Sequence, residues 1–269
     1  MAVCSSLCVF ANKAVTFFKQ PKSASSKKGG AVATPRYRLL SANAVDPPVE
    51  LGTAEKYAIL TKTGISTVPQ STITGDIAVS PKGGAEITGF SLTLSGDGKS
   101  STSDQVTGTH VAYGADYKGD TPELLRVAIL DMEAAYTDAA ARSNGNDTSK
   151  TNLGAGGIGG LTLTPGVYTF GSGVNVMSDV TFTGDGVFII QMTGDLKVDD
   201  NKKITLAGGA QANNIFWQIA GKVNVGTGAH MEGILLVQTA VTLETDSSLD
   251  GRILAQTACV LEKATITAN

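Results

Sequence analysis

The 269-residue chain is long enough for one large or two ordinary domains, and 42% of its residues are apolar, enough for a sizeable core. Residues 1–44 carry seven basic side chains and no acid, whereas residues 45–269 carry 14 basic and 24 acidic side chains, a formal charge of 14 − 24 = −10. This acidic body argues against nucleic acid as a partner, and no run of roughly 18 apolar residues predicts a membrane-spanning helix.

The first 44 residues have the composition of a targeting segment and are not expected to join the fold. Ala42-Asn43-Ala44 offers an A-x-A cleavage site, although it lies far from the apolar stretch at residues 2–11. A signal peptide, an organelle transit peptide and a disordered tail all fit this composition. We predict export from the cytosol, with secretion ahead of delivery to a plastid or another organelle, and a folded domain at residues 45–269.

The chain has three cysteines, and Cys4 and Cys8 both fall in this leader. Cys259 is therefore alone in the folded body, where an intrachain disulfide needs two. It occupies the position of Val241 in a repeated segment, so we expect a small, buried apolar residue without a catalytic role.

The first strands of the body are predicted within Tyr57–Thr67. Ile59-Leu60-x-x-Thr63-Gly64-Ile65-Ser66 aligns with Ile253-Leu254-x-x-Thr257-Ala258-Cys259-Val260 near the other end of the chain. The two ends of the body therefore share one structural pattern.

A helix of about six turns is predicted over residues 121–142, with Thr121 as N-cap and Pro122 at the first helical position. Asn144-Gly145 marks its end. Its apolar side chains recur at three- and four-residue spacing, which predicts a stripe that packs along one side of the domain: Leu124, Leu125, Ala128, Ile129, Met132, Ala135, Tyr136 and Ala139.

Short strand-like runs resume at Leu161 and alternate inward apolar with outward residues. The predicted outward residues are Asn175, Lys197, Asn224, Thr242 and Val260. Glutamines recur along the same region and are interpreted as equivalent corners of successive coils: Gln191, Gln218, Gln238 and Gln256.

The strongest pattern is an internal repeat at the end of the chain. Gly233–Glu244 and Gly251–Glu262 share seven of twelve residues at an offset of 18. Such a period indicates a solenoid, and each copy is too short for two helices but fits three small strands. The predicted fold class is mostly β, an irregular β-solenoid with one long α-helix alongside.

The sequence offers little for catalysis. His110 and His230 are the two histidines, and neither has a partner at metal-ligand spacing along the sequence. The glycine run at 154–160 lacks the Lys-Ser/Thr of a phosphate loop. Asp195, Asp199 and Asp200 have lysines at 197, 202 and 203 among them, as in solvated turns. We expect no enzyme activity, no metal and no cofactor.

What remains is a face of small, weakly polar residues repeated at strand spacing. Threonine presents a methyl and a hydroxyl on a stiff stem, so a flat array of such groups can hold ordered water and match a periodic solid such as ice. Threonine is also simply a good strand residue. The candidate residues are Thr63, Gly64, Ser66, Thr193, Ala220, Asn224, Thr239, Ala240, Thr242, Thr257 and Ala258.

Five motifs in one order over about residues 50–269 resemble the DUF3494-type ice-binding (antifreeze) family of polar microalgae, fungi and bacteria. The resemblance implies an irregular right-handed β-solenoid of triangular cross-section, a long helix alongside, and N-terminal strands that close against the C-terminal ones. The motifs are Leu51-Gly-Thr-Ala-x-x-Tyr-Ala-Ile-Leu60, Ser71-x-Ile-Thr-Gly75, Leu163-Thr-Pro-Gly-Val-Tyr168, Asn214-Ile-Phe-Trp-Gln218 and Gly251-Arg-Ile-Leu-Ala-Gln-Thr-Ala258.

The resemblance also implies a flat face carrying Thr-Ala/Gly-x-Thr/Asn. Thr239-Ala240-Val241-Thr242 matches fully, Thr63-Gly64-Ile65-Ser66 matches with Ser last, and Thr257-Ala258-Cys259-Val260 matches in its first half. Lys197 and Val260 depart from the pattern, so moderate activity is expected.

The sequence therefore predicts a monomeric ice-binding protein whose partners are the ice surface and its ordered water. Two alternatives stay open. A glycan-binding or adhesin-like module would be retained on polysaccharide without shaping ice. A polysaccharide-cleaving β-helix would need a dense charged cluster on one face.

Overall fold

Short strands bounded by glycine and polar turns run through almost the whole of the computed structural model, which describes residues 47–68 and 70–268. The predicted leader, with Cys4, Cys8 and the Ala42-Asn43-Ala44 site, lies outside these residues. In chain order the strands are β1 Tyr57–Thr61, β2 Gly64–Thr67, β3 Thr72–Thr74, β4 Asp76–Val79, β5 Ile87–Thr88, β6 Thr93–Leu94, β7 Ser101–Thr102, β8 Ala112–Gly114, β9 Thr162–Leu163, β10 Gly166–Phe170, β11 Val174–Val176, β12 Val180–Thr183, β13 Phe188–Met192, β14 Leu196–Val198, β15 Ile204–Ala207, β16 Ile215–Ile219, β17 Val223–Val225, β18 His230–Val237, β19 Val241–Leu243, β20 Ser248–Ala255, β21 Ala258–Leu261 and β22 Thr265–Thr267.

One α-helix lies in the described part of the chain, α1 Thr121–Ala141. Over those same residues, no helix has the length and apolar character needed to cross a membrane. Short 3-10 helices occupy Gly52–Lys56, Gly84–Glu86, Thr148–Lys150, Leu153–Gly156 and Ala212–Asn214.

The strands wind into coils with three sides. One side, the helix-covered sheet, runs β10-β13-β16-β18-β20-β1-β4-β8, and the second, the seven-stranded sheet, runs β11-β14-β17-β19-β21-β2-β5. The third side, the threonine-rich face, joins β9, β12 and β15 to the first halves of β18 and β20, then to β22 and β3. Nearly all of these pairings are parallel, which confirms the predicted β-solenoid.

The strands β18 and β20 turn from one side of the solenoid to the next at Gly233 and Gly251. These glycines have φ of +108° and +151°, a conformation that side chains disfavour. A Cβ atom on Gly251 would lie 1.9 Å from the carbonyl oxygen of Gly233. The close stacking of neighbouring coils therefore requires glycine at this corner.

The two ends of the domain meet in the middle of the sheets. β1 lies between β20 and β4, and Ile59 pairs with Ile253. β2 lies between β21 and β5, and Ile65 pairs with Cys259. This register is the one predicted from the shared sequence pattern, and it confirms that the N-terminal strands close against the C-terminal ones.

Inward side chains fill the solenoid. Trp217 and Phe188 both meet the ring of Phe182 edge-on, with centroids 5.6 and 5.1 Å away. Cys259 is fully buried, as predicted, and burial raises the pKa of its thiol far above the ordinary value.

The helix packs its apolar stripe on the helix-covered sheet, with Leu125, Ala128 and Met132 buried against residues such as Phe216 and Leu236. Two details of the helix prediction were wrong. Thr121 is not an acceptor cap, because the helix begins at this residue and its hydroxyl donates to the carbonyl of Lys99 at 3.0 Å. Leu124 is 58% exposed because it lies beside the stripe and not in it.

Glutamines line the seam between helix and solenoid. The side-chain amide of Gln191 donates to the carbonyls of Ala139 and Arg142, both at 2.7 Å, and so satisfies carbonyls left open at the helix end. The interpretation of the glutamines as equivalent corners holds for Gln191 with Gln218 and for Gln238 with Gln256, but it was wrong between these two pairs. Gln191 pairs with Gln218, but Gln218 pairs with Leu236, so Gln238 lies two residues further along its coil.

Candidate functional site: the seven-stranded sheet

The seven-stranded sheet presents the predicted outward residues as one column. Each belongs to a strand whose flanking residues are buried in the core, so alternation directs it to the surface. In spatial order the column is Asn175, Lys197, Asn224, Thr242, Val260, Ser66 and Thr88. Thr88, which the sequence analysis did not select, completes the column beyond Ser66.

A second column lies two residues earlier in each coil. Gly64 pairs with Ala258, and the backbone amide of Val223 bonds to the carbonyl of Ala240, which sets Ala240 beside Lys222. The column therefore reads Asp195, Lys222, Ala240, Ala258, Gly64 and Glu86.

A third row follows the corner just before the sheet. The amide of Thr63 donates to Thr257 at 3.0 Å and that of Thr257 donates to Thr239 at 3.3 Å, so these three threonines are stacked. The Thr239 hydroxyl donates to the carbonyl of Gly221 at 2.7 Å. It therefore helps to hold neighbouring coils together, and it keeps acceptor capacity toward water.

Thr193 and Ala220 lie one position away from this row. The amide of Ala220 bonds to Met192 and that of Gln238 bonds to Ile219, which aligns Thr193 and Ala220 with Gln238. Grouping Thr193 and Ala220 with Thr239 in one column was therefore wrong. Thr193 and Ala220 lie three residues before the paired residues Leu196 and Val223, whereas Thr239 lies two residues before Val241. Glycines 194 and 221 occupy the threonine row in those coils.

Three neighbouring coils thus form an uncharged block. The block lies at the surface, and charged residues flank it. Its nine residues are Thr63, Gly64, Ser66, Thr239, Ala240, Thr242, Thr257, Ala258 and Val260. Adjacent strands lie about 4.8 Å apart and a strand rises about 3.3 Å per residue, so the block measures roughly 10 by 10 Å.

Charges begin on both sides of the uncharged block. Asp195, Lys197 and Lys222 lie on one side, and Glu86 lies on the other. Lys197 contacts Asp199 at 2.8 Å, and the hydrogen bond to this carboxylate raises the pKa of the lysine. Asn224 also faces a charge, since its amide donates to Glu244 at 2.8 Å.

The uncharged block presents hydroxyl, methyl and Cα–H groups. Because they stand on a stiff parallel sheet, the shape of this surface is fixed. Such a surface can order water through a few hydrogen bonds and many apolar contacts, but it offers no general base to activate its hydroxyls and no other proton carrier. It is therefore suited to adsorption and not to catalysis.

Comparison with known proteins agrees with this geometry. The family model described as "Ice-binding-like" matches residues 59–267. The chain belongs to the ice-binding-like family. This membership confirms the family resemblance read from the sequence and the prediction that the chain is not an enzyme.

Relatives in the ice-binding-like family cover nearly the whole domain. The chain is 52% identical over 231 residues to ice-binding protein K3-B1 of Typhula ishikariensis, which covers 85% of this chain and 93% of that protein. The solved ice-binding protein of an Arctic yeast is 46% identical, covers 82% of this chain and 94% of its own, and has a TM-score of 0.79. The DUF3494 domain of a Shewanella frigidimarina ice-binding protein is 26% identical, covers 83% of this chain and 98% of its own, and has a TM-score of 0.73.

The threonine-rich face is a feature that the sequence analysis missed. Thr181 and Thr205 share a hydrogen bond at 3.0 Å, and Thr74 and Thr107 share one at 3.1 Å. These pairs stand in one outward column, which Glu232 and Asp250 interrupt in the middle. The strand-to-strand pairing brings these threonines together from distant parts of the sequence.

Proposed function

We propose that the protein binds ice through the uncharged block of the seven-stranded sheet. The observation that supports this proposal is the joint register of Thr63, Thr239, Thr242 and Thr257 on one exposed sheet of a member of the ice-binding-like family. A relative that is 52% identical carries the name ice-binding protein.

Adsorption follows from many weak contacts made at once. Each methyl and hydroxyl fixes a water in a position set by the sheet, and the rigid strands lose little conformational entropy on binding. Bound molecules pin the ice surface, so ice between them grows as a convex front. Curvature lowers the local freezing point, and growth and recrystallisation stop within a small temperature interval.

Ice-affinity partitioning of the full chain, followed by thermal hysteresis and recrystallisation assays, tests the proposal. We expect the protein to concentrate in a growing ice hemisphere and to shape single crystals at micromolar concentration. Heat-unfolded protein is the control. Exclusion from ice together with an absence of hysteresis would contradict the proposal, and retention on a polysaccharide array would then favour the glycan-binding alternative.

We further propose that the protein acts as an exported monomer. The basic, acid-free composition of residues 1–44 supports export. A glycosylated form of the yeast relative has been solved, and glycosylation marks proteins of the secretory route. N-terminal sequencing of the protein from its native source and light scattering on the purified chain test these two points. An uncleaved cytosolic chain, or a stable dimer, would contradict them.

A further inference from the structure

A polar cluster interrupts the threonine-rich face where β18 and β20 lie side by side. His230 pairs with Ser248 and Glu232 pairs with Asp250. Because residues two apart on a strand point to the same side, all four side chains lie on the outer surface of the solenoid. The intervening Met231 and Leu249 are fully buried, which fixes both strands in place.

The side chains of this cluster converge. His230 Nε2 lies 3.2 Å from Glu232 Oε1, and Nδ1 lies 2.8 Å from Ser248 Oγ. One donor atom each from His230, Glu232 and Asp250 can be chosen so that all lie within 4.8 Å of one another. The Glu232 side chain is only 13% exposed.

Charge in the cluster favours a cation. Two carboxylates face each other across neighbouring strands, an arrangement that is unfavourable without positive charge between them. His230 can supply positive charge beside these carboxylates. The exposed Lys203, which pairs with His230 from the β15 side, supplies more. The β22 side offers only threonine hydroxyls.

We propose that His230, Glu232 and Asp250 bind a divalent transition-metal ion such as Zn²⁺. One imidazole nitrogen and two carboxylates are ligands that zinc accepts at about 2.0–2.2 Å, which places tetrahedral donors about 3.3 Å apart. The His230–Glu232 distance already matches, and the Asp250 carboxylate, which lies within 4.8 Å of both, would move closer on binding. A water molecule would fill the fourth position.

Ser248 is a positioning residue for this site. When Nδ1–H donates to the Ser248 hydroxyl, the lone pair of Nε2 is free for the metal, as in sites where a second hydrogen bond fixes the ligand tautomer. Binding then displaces any proton on Nε2 to solvent, and the two carboxylates balance the charge of the ion. The spacing of residues along the sequence does not reveal this site, because Asp250 lies 18 residues after Glu232, in the next coil.

Calorimetric titration of Zn²⁺ into the full chain carrying Cys4→Ser and Cys8→Ser tests the proposal, since these changes remove the leader thiols as competing ligands. We expect one saturable equivalent and a rise in Tm with zinc, because the ion binds the folded state. His230→Ala and Glu232→Gln should each weaken binding at least tenfold, and Ser248→Ala should weaken it about tenfold.

His110→Ala is the matched control, because His110 also lies beside a carboxylate, 3.4 Å from Asp76, on the described surface. It should bind zinc like the parent chain. Equal binding by the His110 and His230 variants, or no saturable binding by the parent, would overturn the proposal. Circular dichroism of each variant establishes that it is folded, and ice activity remains an independent measurement.

Discussion

Single outward side chains decide how far the uncharged block extends. In the outward column, Lys197 is the one charged residue, between Asn175 and Asn224. Its long side chain stands above the sheet and carries a hydrated ammonium group, so ice cannot approach there without removing that water. The sequence predicted this departure correctly, because alternation alone assigns Lys197 to the outer surface.

Lys197→Thr should raise thermal hysteresis, because it leaves the whole outward column uncharged. Stability should change by less than about 0.5 kcal/mol, as for surface sites in general. Lys203→Thr, on the threonine-rich face, is the control and should leave hysteresis unchanged. The measurement is hysteresis against concentration for the three proteins; equal curves for Lys197→Thr and the parent would contradict this role of the charge.

Among the elements, the helix shows what periodicity can and cannot predict. The apolar spacing predicted its extent to within one residue and its packing on the solenoid, since 3.6-residue periodicity depends on local sequence alone. The hydrogen bonds of its end escaped prediction, because Gln191 comes from a strand about 50 residues later in the chain. Capping across such a distance depends on tertiary structure.

Gln191→Leu should lower the free energy of unfolding by about 1–3 kcal/mol, because it removes the side-chain amide that donates to the buried carbonyl of Ala139. Urea unfolding followed by circular dichroism measures the difference. Gln211→Leu, at an exposed glutamine, should change it by less than about 0.5 kcal/mol. Equal effects of the two substitutions would show that the Gln191 hydrogen bonds contribute nothing net.

For the whole molecule, closure of the two chain ends and the outward column of the seven-stranded sheet were predictable, but the alignment of the corner before that sheet was not. Copies of one motif at Ile59 and Ile253 predicted which strands pair. The interval from Gln191 to Gln218 is 27 residues, whereas the next paired position, Leu236, follows after 18. The longer coil places its extra residues in a turn, so the glutamine interval is uneven. Thr193 and Ala220 were misplaced because their Thr-Gly and Ala-Gly pairs begin one residue earlier in the coil than Thr239-Ala240 does.

Because β2 lies between β21 and β5, the N-terminal strands should support the entire solenoid. Ile65→Ala should lower the free energy of unfolding by about 2–5 kcal/mol, the usual cost of such a cavity, in one cooperative transition. Ser66→Ala on the same strand is the control, with an expected change below about 0.5 kcal/mol. Two separate transitions in Ile65→Ala would contradict closure as the basis of cooperativity.

Thermal hysteresis of Thr242→Tyr beside Thr181→Tyr tests most directly which side of the solenoid meets ice. Both threonines are partly exposed strand residues, one in the uncharged block and the other on the threonine-rich face. A tyrosine at position 242 should abolish hysteresis because its ring stands above the block, while the core beneath it and the unfolding transition stay unchanged. Thr181→Tyr should retain full activity. Full hysteresis in Thr242→Tyr, or its loss in Thr181→Tyr alone, would contradict the assignment of the ice-binding surface to the seven-stranded sheet.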